Sequence, residues 1–301
     1  GHVVTDGGMG TFLSGLLFLA SGEARFLDCA RRAAYATCEM PFETMETENW
    51  AVGYGGVLLA EYHLATGDTN VLSKLQWMVD YLEQGQMQCG SWGHSSPNGA
   101  YGAMNQSGII CAMAISLAGE CGLEVSRDAL SRALTFYGRY AELGAVSYGD
   151  HGPGVSNPDD NGKSASTAIL CGLHPDWQRA SDVFSQSVAM SYWLRETGHT
   201  GGFFSMTWGP LAADRAGATA VQTFMDYQSW YYNLCRTWRG ALVLLPYKEA
   251  LTRFDDSSYN EFGGEFTTGG MALAFAMPHR KLRMFRTRND SNAEGGMRNG
   301  S

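Results

Sequence analysis

The sequence predicts an all-α protein folded as an α/α toroid, a ring of about six helical hairpins. Three observations predict this fold: a helix-ending signature recurs along the chain, two kinds of helix alternate, and charge is scarce. Charged residues make up 17% of the 301 residues and hydrophobic residues 45%. Because so few residues can cover solvated faces, many helices are expected to be buried on more than one side.

The recurring signature is an apolar stretch that stops at a glycine. Residues 19–23 (LASGE) recur as residues 64–68 (LATGD), and more loosely as residues 117–120 (LAGE) and 194–198 (LRETG). Glycine readily adopts the left-handed conformation that ends a helix, and a nearby acidic or hydroxyl residue can cap the next helix. Each copy therefore predicts a helix, a tight turn and a second helix.

The helices on the two sides of these turns differ in pattern. Residues 56–65 and 108–118 are apolar nearly all round, which is typical of helices buried on both sides. After the turns, apolar residues follow a single face at helical spacing, as in the stretches 71–82 and 130–141. An inner set of buried helices and an outer set of amphipathic helices is the arrangement of an α/α toroid.

These patterns place about twelve helices on the chain. We predict them at residues 8–21, 23–39, 51–66, 69–86, 101–119, 126–143, 163–173, 176–197, 208–216, 218–236, 239–251 and 268–277. We expect a single toroid domain over residues 1–280 and a polar C-terminal tail over residues 281–301. The basic run from Arg280 to Arg288 would be a solvated chain end or a chain-end contact.

The charge balance argues against a nucleic-acid partner. The net charge is −9, and no cluster of Lys or Arg occurs before the C-terminal tail. No stretch reaches the ~18 consecutive apolar residues that a membrane span needs, so we expect no membrane-spanning helix. The scarcity of charge is compatible with a homo-oligomer or a larger assembly.

The seven cysteines form no recognisable metal or redox motif. They are scattered without a CxxC pair, and Cys111, Cys171 and Cys235 lie in apolar helical stretches where we expect small core residues. The cysteines do not fix the redox compartment. We expect a location outside the cytoplasm, and a signal or another domain could precede Gly1.

Four segments between the hairpins are rich in glycine, histidine and aromatic residues. They cover residues 88–94, 101–106, 148–163 and 198–209. Each lies where an outer helix leads into the next inner helix, and in a toroid these connections share one end. The four segments are therefore expected to converge around one mouth, and long loops in a compact domain often carry function.

These segments contain the candidate catalytic residues. His94 follows a Gly-Trp-Gly turn and could be a general base, an acid or a metal ligand, or simply bond a loop. His199 precedes a Thr-Gly-Gly bend where a ligand can approach the backbone, and a structural role is the alternative. Asp150 could orient a histidine or transfer a proton, or form an Asx turn. Tyr148 is a further candidate base.

The candidate substrate-binding residues are aromatic side chains, amides and one lysine. The aromatic residues would form a rim around the mouth: Tyr54, Trp92, Tyr101, Tyr148, Phe203 and Trp208. Asn105 and Gln106 open a buried helix and need polar partners, either from a ligand or from the backbone. Lys163, preceded by Asn161, opens another helix and could meet an anion, although an exposed first-turn lysine is an equal alternative.

Some of these segments resemble known toroid families. Gln88, Gly90 and Trp92 resemble the Gln/Gly/Trp repeats of the terpenoid cyclase and prenyltransferase superfamily. The chain between residues 7 and 278 also resembles an uncharacterised bacterial family of α/α toroids. That second resemblance is carried by residues 53–56, 90–94, 104–106, 148–150, 161–163 and 199–203. Both resemblances imply the fold, and neither implies an activity.

The activities of the better-known toroid enzymes are not carried over, because their motifs are incomplete. Squalene-type cyclases use an aspartate-rich acid motif, whereas Asp159 and Asp160 are only a pair in a turn-like loop. Prenyltransferases bind zinc through Asp, Cys and His, but Cys89 and His94 have no evident third ligand. A loop that resembles one of the lanthionine cyclases has Ser147 in place of a metal-binding cysteine.

We therefore expect a carbohydrate-active enzyme, either a polysaccharide lyase or a glycoside hydrolase, that binds an oligo- or polysaccharide at the mouth. The base of a lyase would be His94, His199 or Tyr148. The uronate carboxylate would be neutralised by Asn105, Gln106 or Lys163. A hydrolase would pair Asp150 with a second carboxylate, for which the candidates are Glu48, Asp159 and Asp160.

Alternatives from other classes remain open. A metalloenzyme would bind its metal through His94, Asp150 and His199, although the sequence does not clearly imply any particular cofactor. A non-enzymatic structural or self-assembling subunit would use the toroid only as a stable body. A terpene cyclase ranks below these readings, because its acid motif is missing.

Overall fold

The computed structural model describes residues 8–42, 48–96, 102–152, 162–191, 202–244 and 264–287. These residues form α-helices, short 3₁₀ turns and loops, with one isolated antiparallel bridge between Arg236 and Leu242. The α-helices are α1 (Met9–Ser21), α2 (Leu27–Cys38), α3 (Glu48–Thr66), α4 (Leu72–Gly85), α5 (Asn105–Glu120), α6 (Arg127–Gly138), α7 (Lys163–Gly172), α8 (Gln178–Met190), α9 (Phe203–Arg215), α10 (Ala218–Cys235), α11 (Gly264–Met271) and α12 (Leu273–Ala276). The predicted all-α class is confirmed for the described residues.

The glycine signature ends helices as predicted at its first two copies. Gly22 and Gly67 have left-handed φ angles of 66° and 73°, and their N–H groups bond carbonyls of the preceding turn. Asp68 then caps the next turn by accepting the N–H of Asn70 at 3.0 Å. A helix stop and a helix start are therefore encoded within two adjacent residues.

The other two copies differ from this pattern or cannot be compared with it. At the third copy, Gly119 lies inside α5, and the left-handed residue is Gly122, with a φ of 83°. The prediction chose the wrong glycine because both follow the same apolar stretch. The fourth copy, residues 194–198, lies outside the described residues.

Helices α1, α3, α5, α7, α9 and α11 form an inner set, and α2, α4, α6, α8 and α10 form an outer set. Each odd helix packs against the next, from α1 through α3, α5, α7 and α9 to α11, and α11 packs against α1. Helices α2, α4, α6 and α8 each pack against the two odd helices that flank them in sequence, whereas α10 packs against α9 and α8. Helices α3, α5, α7 and α9 bury most of their residues, as their all-round apolar pattern predicts.

Aromatic side chains join α3 to α9, which are not neighbours in the inner set. The ring centroids of Trp50 and Phe204 lie 5.5 Å apart, and one turn further along both helices those of Tyr54 and Trp208 lie 6.1 Å apart. The indole N–H of Trp208 donates to the Tyr54 hydroxyl at 3.2 Å. Two aromatic layers therefore connect opposite members of the inner set.

Glycines on α3 allow α5 to approach closely. A Cβ at Gly53 would lie 3.2 Å from the backbone nitrogen of Cys111, and one at Gly56 would lie 2.9 Å from the Ala114 methyl group. Both distances are too short for an ordinary side-chain contact. At these two positions, glycine is therefore used for close helix packing.

The C-terminal segment, residues 282–285, packs where the inner helices end. The carboxylate of Glu61 accepts the backbone N–H groups of Arg283 and Met284 at 2.7 and 2.8 Å. Arg215, the last residue of α9, donates to the Met284 carbonyl at 2.9 Å. The buried apolar side chains of the segment are Leu282, Met284 and Phe285. Of the two expectations for the basic run, the chain-end contact describes this segment.

Helix α9 begins at Phe203, five residues before its predicted start. The predicted start at residue 208 places Pro210 in the first turn, where a proline is tolerated, whereas the observed start places it in the helix interior, where it cannot donate the usual hydrogen bond. The carbonyl that this leaves without a helical donor belongs to Met206, and the hydroxyl of Tyr232 on α10 donates to it instead. A tertiary contact therefore accommodates the proline.

Two further helix predictions differ from the structure within the described residues. Helix α8 ends at Met190, although the prediction extended to residue 197. The described part of the predicted helix 239–251, residues 239–244, forms a turn and a bridge instead. Among the described residues, no helix combines the length and apolar character that a membrane crossing requires.

Candidate functional site

The starts of α3, α5, α7 and α9 lie together at one end of the inner set, here called the mouth. Trp50 near the start of α3 contacts Phe204 near the start of α9, and a Cβ on Gly162 just before α7 would lie 2.6 Å from the Phe204 backbone. The hydroxyl of Ser164 on α7 accepts the N–H of Val146, in the loop that approaches α5. The described loops therefore meet at one end, as the alternation of helices predicts.

Two loop carbonyls attach the candidate catalytic residues to the mouth. The carbonyl of His94 accepts the N–H of Asn49 at 3.2 Å, and the carbonyl of Tyr148 accepts the N–H of Asn105 at 3.0 Å. The first N–H groups of a helix have no partner within it. The loops supply these partners for α3 and α5. These hydrogen bonds fix the backbone positions of His94 and Tyr148.

His94 is bonded by a tryptophan that the sequence patterns do not single out. Nε1 of Trp50 donates to Nδ1 of His94 at 2.8 Å, and the two rings stack with centroids 6.0 Å apart. Because an indole N–H can only donate, Nδ1 must offer its lone pair. Neutral His94 therefore carries its proton on Nε2, which suits a hydrogen-bond donor and does not suit a general base.

Asn105 joins two of the mouth loops. Its amide nitrogen donates to the carbonyls of Ser147 and Gly149 at 2.8 and 3.0 Å, and its amide oxygen accepts the hydroxyl of Ser91 at 3.3 Å. The side chain is completely buried. Of the two partners predicted for this amide, ligand or backbone, the structure provides the backbone, so Asn105 positions the loops around it.

Lys163 is the first residue of α7 and is completely buried. The alternative of an exposed first-turn lysine is therefore wrong. Its Nζ lies 5.9 Å from the centroid of the Tyr148 ring. Its ammonium group and the start of a helix, which is the helix's positive end, place positive charge at the same point of the mouth. Such a position is typical of a group that binds an anion.

The predicted aromatic rim is largely internal. Tyr54, Trp92, Phe203 and Trp208 are each at most 1% exposed. The Trp92 indole donates to the Leu82 carbonyl at 2.7 Å, and Phe203 stacks on Phe266 with centroids 4.4 Å apart. These rings therefore fill the space beneath the mouth, because the inner helices approach from several sides at once. These four aromatic side chains therefore do not form the predicted rim that is open to substrate.

Asp150 interacts with the outer layer. Its carboxylate pairs with Arg139 at 2.7 Å, and both side chains are nearly half exposed. The guanidinium of Arg139 also lies 4.2 Å from the Phe136 ring of α6. A carboxylate held in this ion pair is a poor candidate for the predicted proton-transfer role. The other predicted role was to orient a histidine, but the side chain that Asp150 pairs with is an arginine.

The remaining predicted residues are placed as follows. Gln106 is buried next to Asn105 on α5. Glu48 is the first residue of α3 and is partly buried. The predicted residues that lie outside the described part of the chain are Tyr101, Asp159, Asp160, Asn161 and His199.

Residues 4–285 match the family model described as a domain of unknown function, DUF6288. The chain belongs to this family. No curated protein and no solved structure matches it. Membership of an uncharacterised family agrees with the resemblance drawn from the sequence, whereas kinship with the terpenoid cyclases stays a prediction.

The mouth of this DUF6288 chain includes Asn49 and Ser205, which the sequence patterns missed, and Glu48, which was considered only as the second carboxylate of a hydrolase. Predicting α3 from residue 51 left Glu48, Asn49 and Trp50 outside the helix. Within the part of the chain that the structure describes, three buried polar atoms here have no hydrogen-bond partner: Glu48 Oε2, Asn49 Oδ1 and Ser205 Oγ. Their only sequence signal was polarity beside an apolar helix, which is also common at ordinary helix starts.

Metal ligands do not cluster in the described residues of this DUF6288 chain. No group of three or more His, Cys, Asp or Glu side chains there could hold a metal ion. The cysteines of the inner helices are buried and free, as expected for core residues. Burial raises the pKa of the Cys171 thiol to about 12 and that of Cys111 further, so these thiols stay protonated.

Proposed function

We propose that this chain is a carbohydrate-active enzyme that binds a uronate-containing oligo- or polysaccharide at the mouth and cleaves it as a polysaccharide lyase does. The observation that carries the proposal is Lys163, buried at the start of α7 beside the Tyr148 ring. The inner and outer helices would form a closed α/α toroid over residues 1–280, related in fold to the terpenoid cyclases and prenyltransferases. The C-terminal segment would complete this domain.

The expected ligand is an anion. The ammonium group of Lys163 attracts negative charge, and the starts of α3, α5, α7 and α9 add partial positive charge at the same end. A uronate sugar carries one carboxylate for each ring, whereas a neutral sugar would gain little from this field. The proposal therefore favours acidic glycans over neutral ones.

Elimination would use three side chains in different roles. Lys163 would bind the carboxylate and so make the adjacent C–H bond more acidic. Tyr148 would remove that proton, a carbon–carbon double bond would form, and the bond to the leaving sugar oxygen would break. Tyr148 would act as the phenolate, and the phenol that it becomes would return this proton to the leaving oxygen. His94 would stabilise the charge that develops on that oxygen by a hydrogen bond from Nε2, which carries the proton when Nδ1 accepts from Trp50.

Hydrolysis and metal chemistry receive less support. An inverting or retaining hydrolase needs two carboxylates that face one bond, and Asp150 is instead paired with Arg139. A metal bound to Nδ1 of His94 would have to displace the indole of Trp50. No observation favours either alternative over the lyase.

The test is a panel of uronate-containing and neutral polysaccharides incubated with the purified chain. Elimination produces a double bond conjugated with the carboxylate, which is followed by ultraviolet absorbance. We expect Tyr148→Phe and Lys163→Met each to lower the rate at least ~100-fold, while Asp150→Asn leaves it within about two-fold. Reducing sugar without the new absorbance would indicate hydrolysis, and no product from any acidic glycan would refute the proposal.

A further inference from the structure

The outward face of α10 is unlike a solvated helix surface. Tyr227, Trp230 and Leu234 are 44%, 54% and 57% exposed, and they recur at i, i+3 and i+7 along one stripe. Asp226 is the only charged residue among the eighteen of this helix. A stripe of large apolar side chains on an exposed helix is typical of a surface that another molecule covers.

Other outer helices show what an uncovered face looks like in this chain. On α2, Asp28 pairs with Arg31 and Arg32 on the exposed side. On α6, Arg132 pairs with Asp128 one turn away. These are ordinary solvent-facing ion pairs of helices. The difference therefore belongs to α10 and is not a general property of the outer layer.

The turn that follows α10 extends this apolar surface. Trp238 is 88% exposed at the tip of a turn closed by the Thr237 N–H, which donates to the Ala241 carbonyl at 2.8 Å. Gly240 supplies the left-handed residue, with a φ of 86°. An indole held in water by an ordered turn has no evident role within the chain itself.

Charges at the two ends of the stripe are opposite in sign. Asp226 precedes Trp230 by one turn, whereas Arg236 follows the helix and Arg239 follows Trp238. In the described part of the chain, the two arginines make no ion pair and lie against aromatic rings, Arg236 at 5.7 Å from Phe275. A helix face with an acid at one end and bases at the other is complementary in charge to a second copy of the same helix that runs antiparallel to it.

We propose that α10 forms an antiparallel two-fold interface between two copies of this chain. With the axis near Trp230, the two Trp230 side chains meet, and Tyr227 faces Leu234 of the partner subunit. Asp226 then lies opposite Arg236 of the partner subunit, and the reciprocal pair forms as well. A two-fold axis repeats every contact, as in most homodimers.

The exposed apolar area is of the size that such an interface needs. Tyr227, Trp230, Leu234 and Trp238 are the large apolar side chains of this surface. A large aromatic side chain buries ~150–250 Å², so these exposures amount to roughly 500 Å². A standard interface takes about 800 Å² from each partner, and the surrounding polar rim of α10 can supply the remainder.

The test is the sedimentation behaviour of the full chain over a range of concentrations. We expect a dimer whose dissociation constant rises at least ~10-fold in Trp230→Glu, in Asp226→Arg and in Arg236→Asp. The double variant Asp226→Arg/Arg236→Asp should recover most of this loss, because the reversed charges again face each other. The matched control is Leu27→Glu, which places a charge on an equally exposed apolar residue of α2 and should leave the dimer unchanged.

Several results would overturn the proposal. They are a chain that stays monomeric at every concentration, a dimer unaffected by Trp230→Glu, and a double variant that fails to recover. Binding of the monomer to vesicles of anionic lipid through Trp238 would assign the surface to a membrane instead. Circular dichroism confirms the fold of each variant, and Tyr227→Glu replaces any that unfolds. Glycan cleavage is a separate readout, so this proposal can fail independently of the proposed enzymatic function.

Discussion

At the scale of the residue, the mouth depends on side chains whose hydrogen bonds go to the backbone of neighbouring loops. Asn105 is the clearest case, since one buried amide bonds the carbonyls of Ser147 and Gly149 and also the hydroxyl of Ser91. Trp50 acts in the same way on His94. The geometry of the candidate site therefore depends as much on these positioning residues as on the residues predicted to react.

Asn105→Ala should lower the free energy of unfolding by about 3 kcal/mol, because it removes three buried hydrogen bonds that each contribute about 1 kcal/mol. Ser107→Ala on the same helix removes a single hydroxyl and should cost about 1 kcal/mol. Urea denaturation of both variants measures the difference. Equal costs would show that Asn105 does not join the loops.

The proton of neutral His94 should be on Nε2, because Trp50 donates to Nδ1. Nitrogen NMR of the imidazole ring reports this tautomer directly. In Trp50→Phe the donor is removed while the ring contact is kept, so we expect a mixture of tautomers. A proton on Nδ1 in the unmodified chain would contradict both the Trp50 hydrogen bond and the hydrogen bond that His94 would donate to the leaving oxygen.

Glu61 predicts a pH dependence of stability. Burial raises its pKa from 4.5 to about 7, although the N–H groups of Met284 and Arg283 oppose the shift. Between these two pH values the unfolded chain loses a proton that the folded chain keeps. The stability that Glu61 contributes is therefore fully present below pH 4.5 and is lost as the pH rises to about 7, by up to ~3 kcal/mol.

The measurement is the free energy of unfolding at several pH values between these limits. Glu61→Gln cannot ionise, so its profile should lack this fall. Glu124→Gln removes an exposed carboxylate and should keep it. A stability of the unmodified chain that rises across this range, with the same rise in Glu61→Gln, would show that Glu61 does not control it.

At the scale of the element, glycines fix the loops through conformation and close contact. Gly90 has a φ of 99°, and a Cβ there would lie 2.5 Å from the Arg132 carbonyl oxygen. Gly67 has a φ of 73° but open space around it. The two glycines therefore separate the cost of backbone conformation from the cost of a clash.

Gly67→Ala should cost about 1 kcal/mol, which is the usual penalty for a left-handed alanine. Gly90→Ala should cost at least ~3 kcal/mol, because the loop must also move away from α6. Thermal or urea unfolding compares the two variants. Similar costs would show that the loop before α5 is not packed against α6 as described.

Sequence patterns predicted what depends on neighbours along the chain. The apolar periodicity and the glycine stops gave α1, α7 and α10 with small errors at their ends. The start of α9 was missed because Pro210 is accommodated by Tyr232 from another helix. Element boundaries that depend on a distant side chain leave no local signal.

At the scale of the whole molecule, the same limit applies to the candidate site. Alternation of inner and outer helices was sufficient to predict that His94, Tyr148 and Lys163 lie at one end. The contact of Trp50 with Phe204 and the pairing of Asp150 with Arg139 were not predictable, because no pattern specifies which side chains meet when helices close together. Burial of the aromatic residues followed from that closure.

The most direct test of the central claim is calorimetric titration of an acidic oligosaccharide into Tyr148→Phe, a variant that should bind without turnover. We expect a uronate oligosaccharide to bind and a neutral one of equal length to bind at least ~10-fold more weakly. Adding Lys163→Met should remove the preference, whereas Lys163→Arg should retain part of it. Equal binding of acidic and neutral sugars, or a preference that survives Lys163→Met, would contradict a mouth that recognises anions through Lys163.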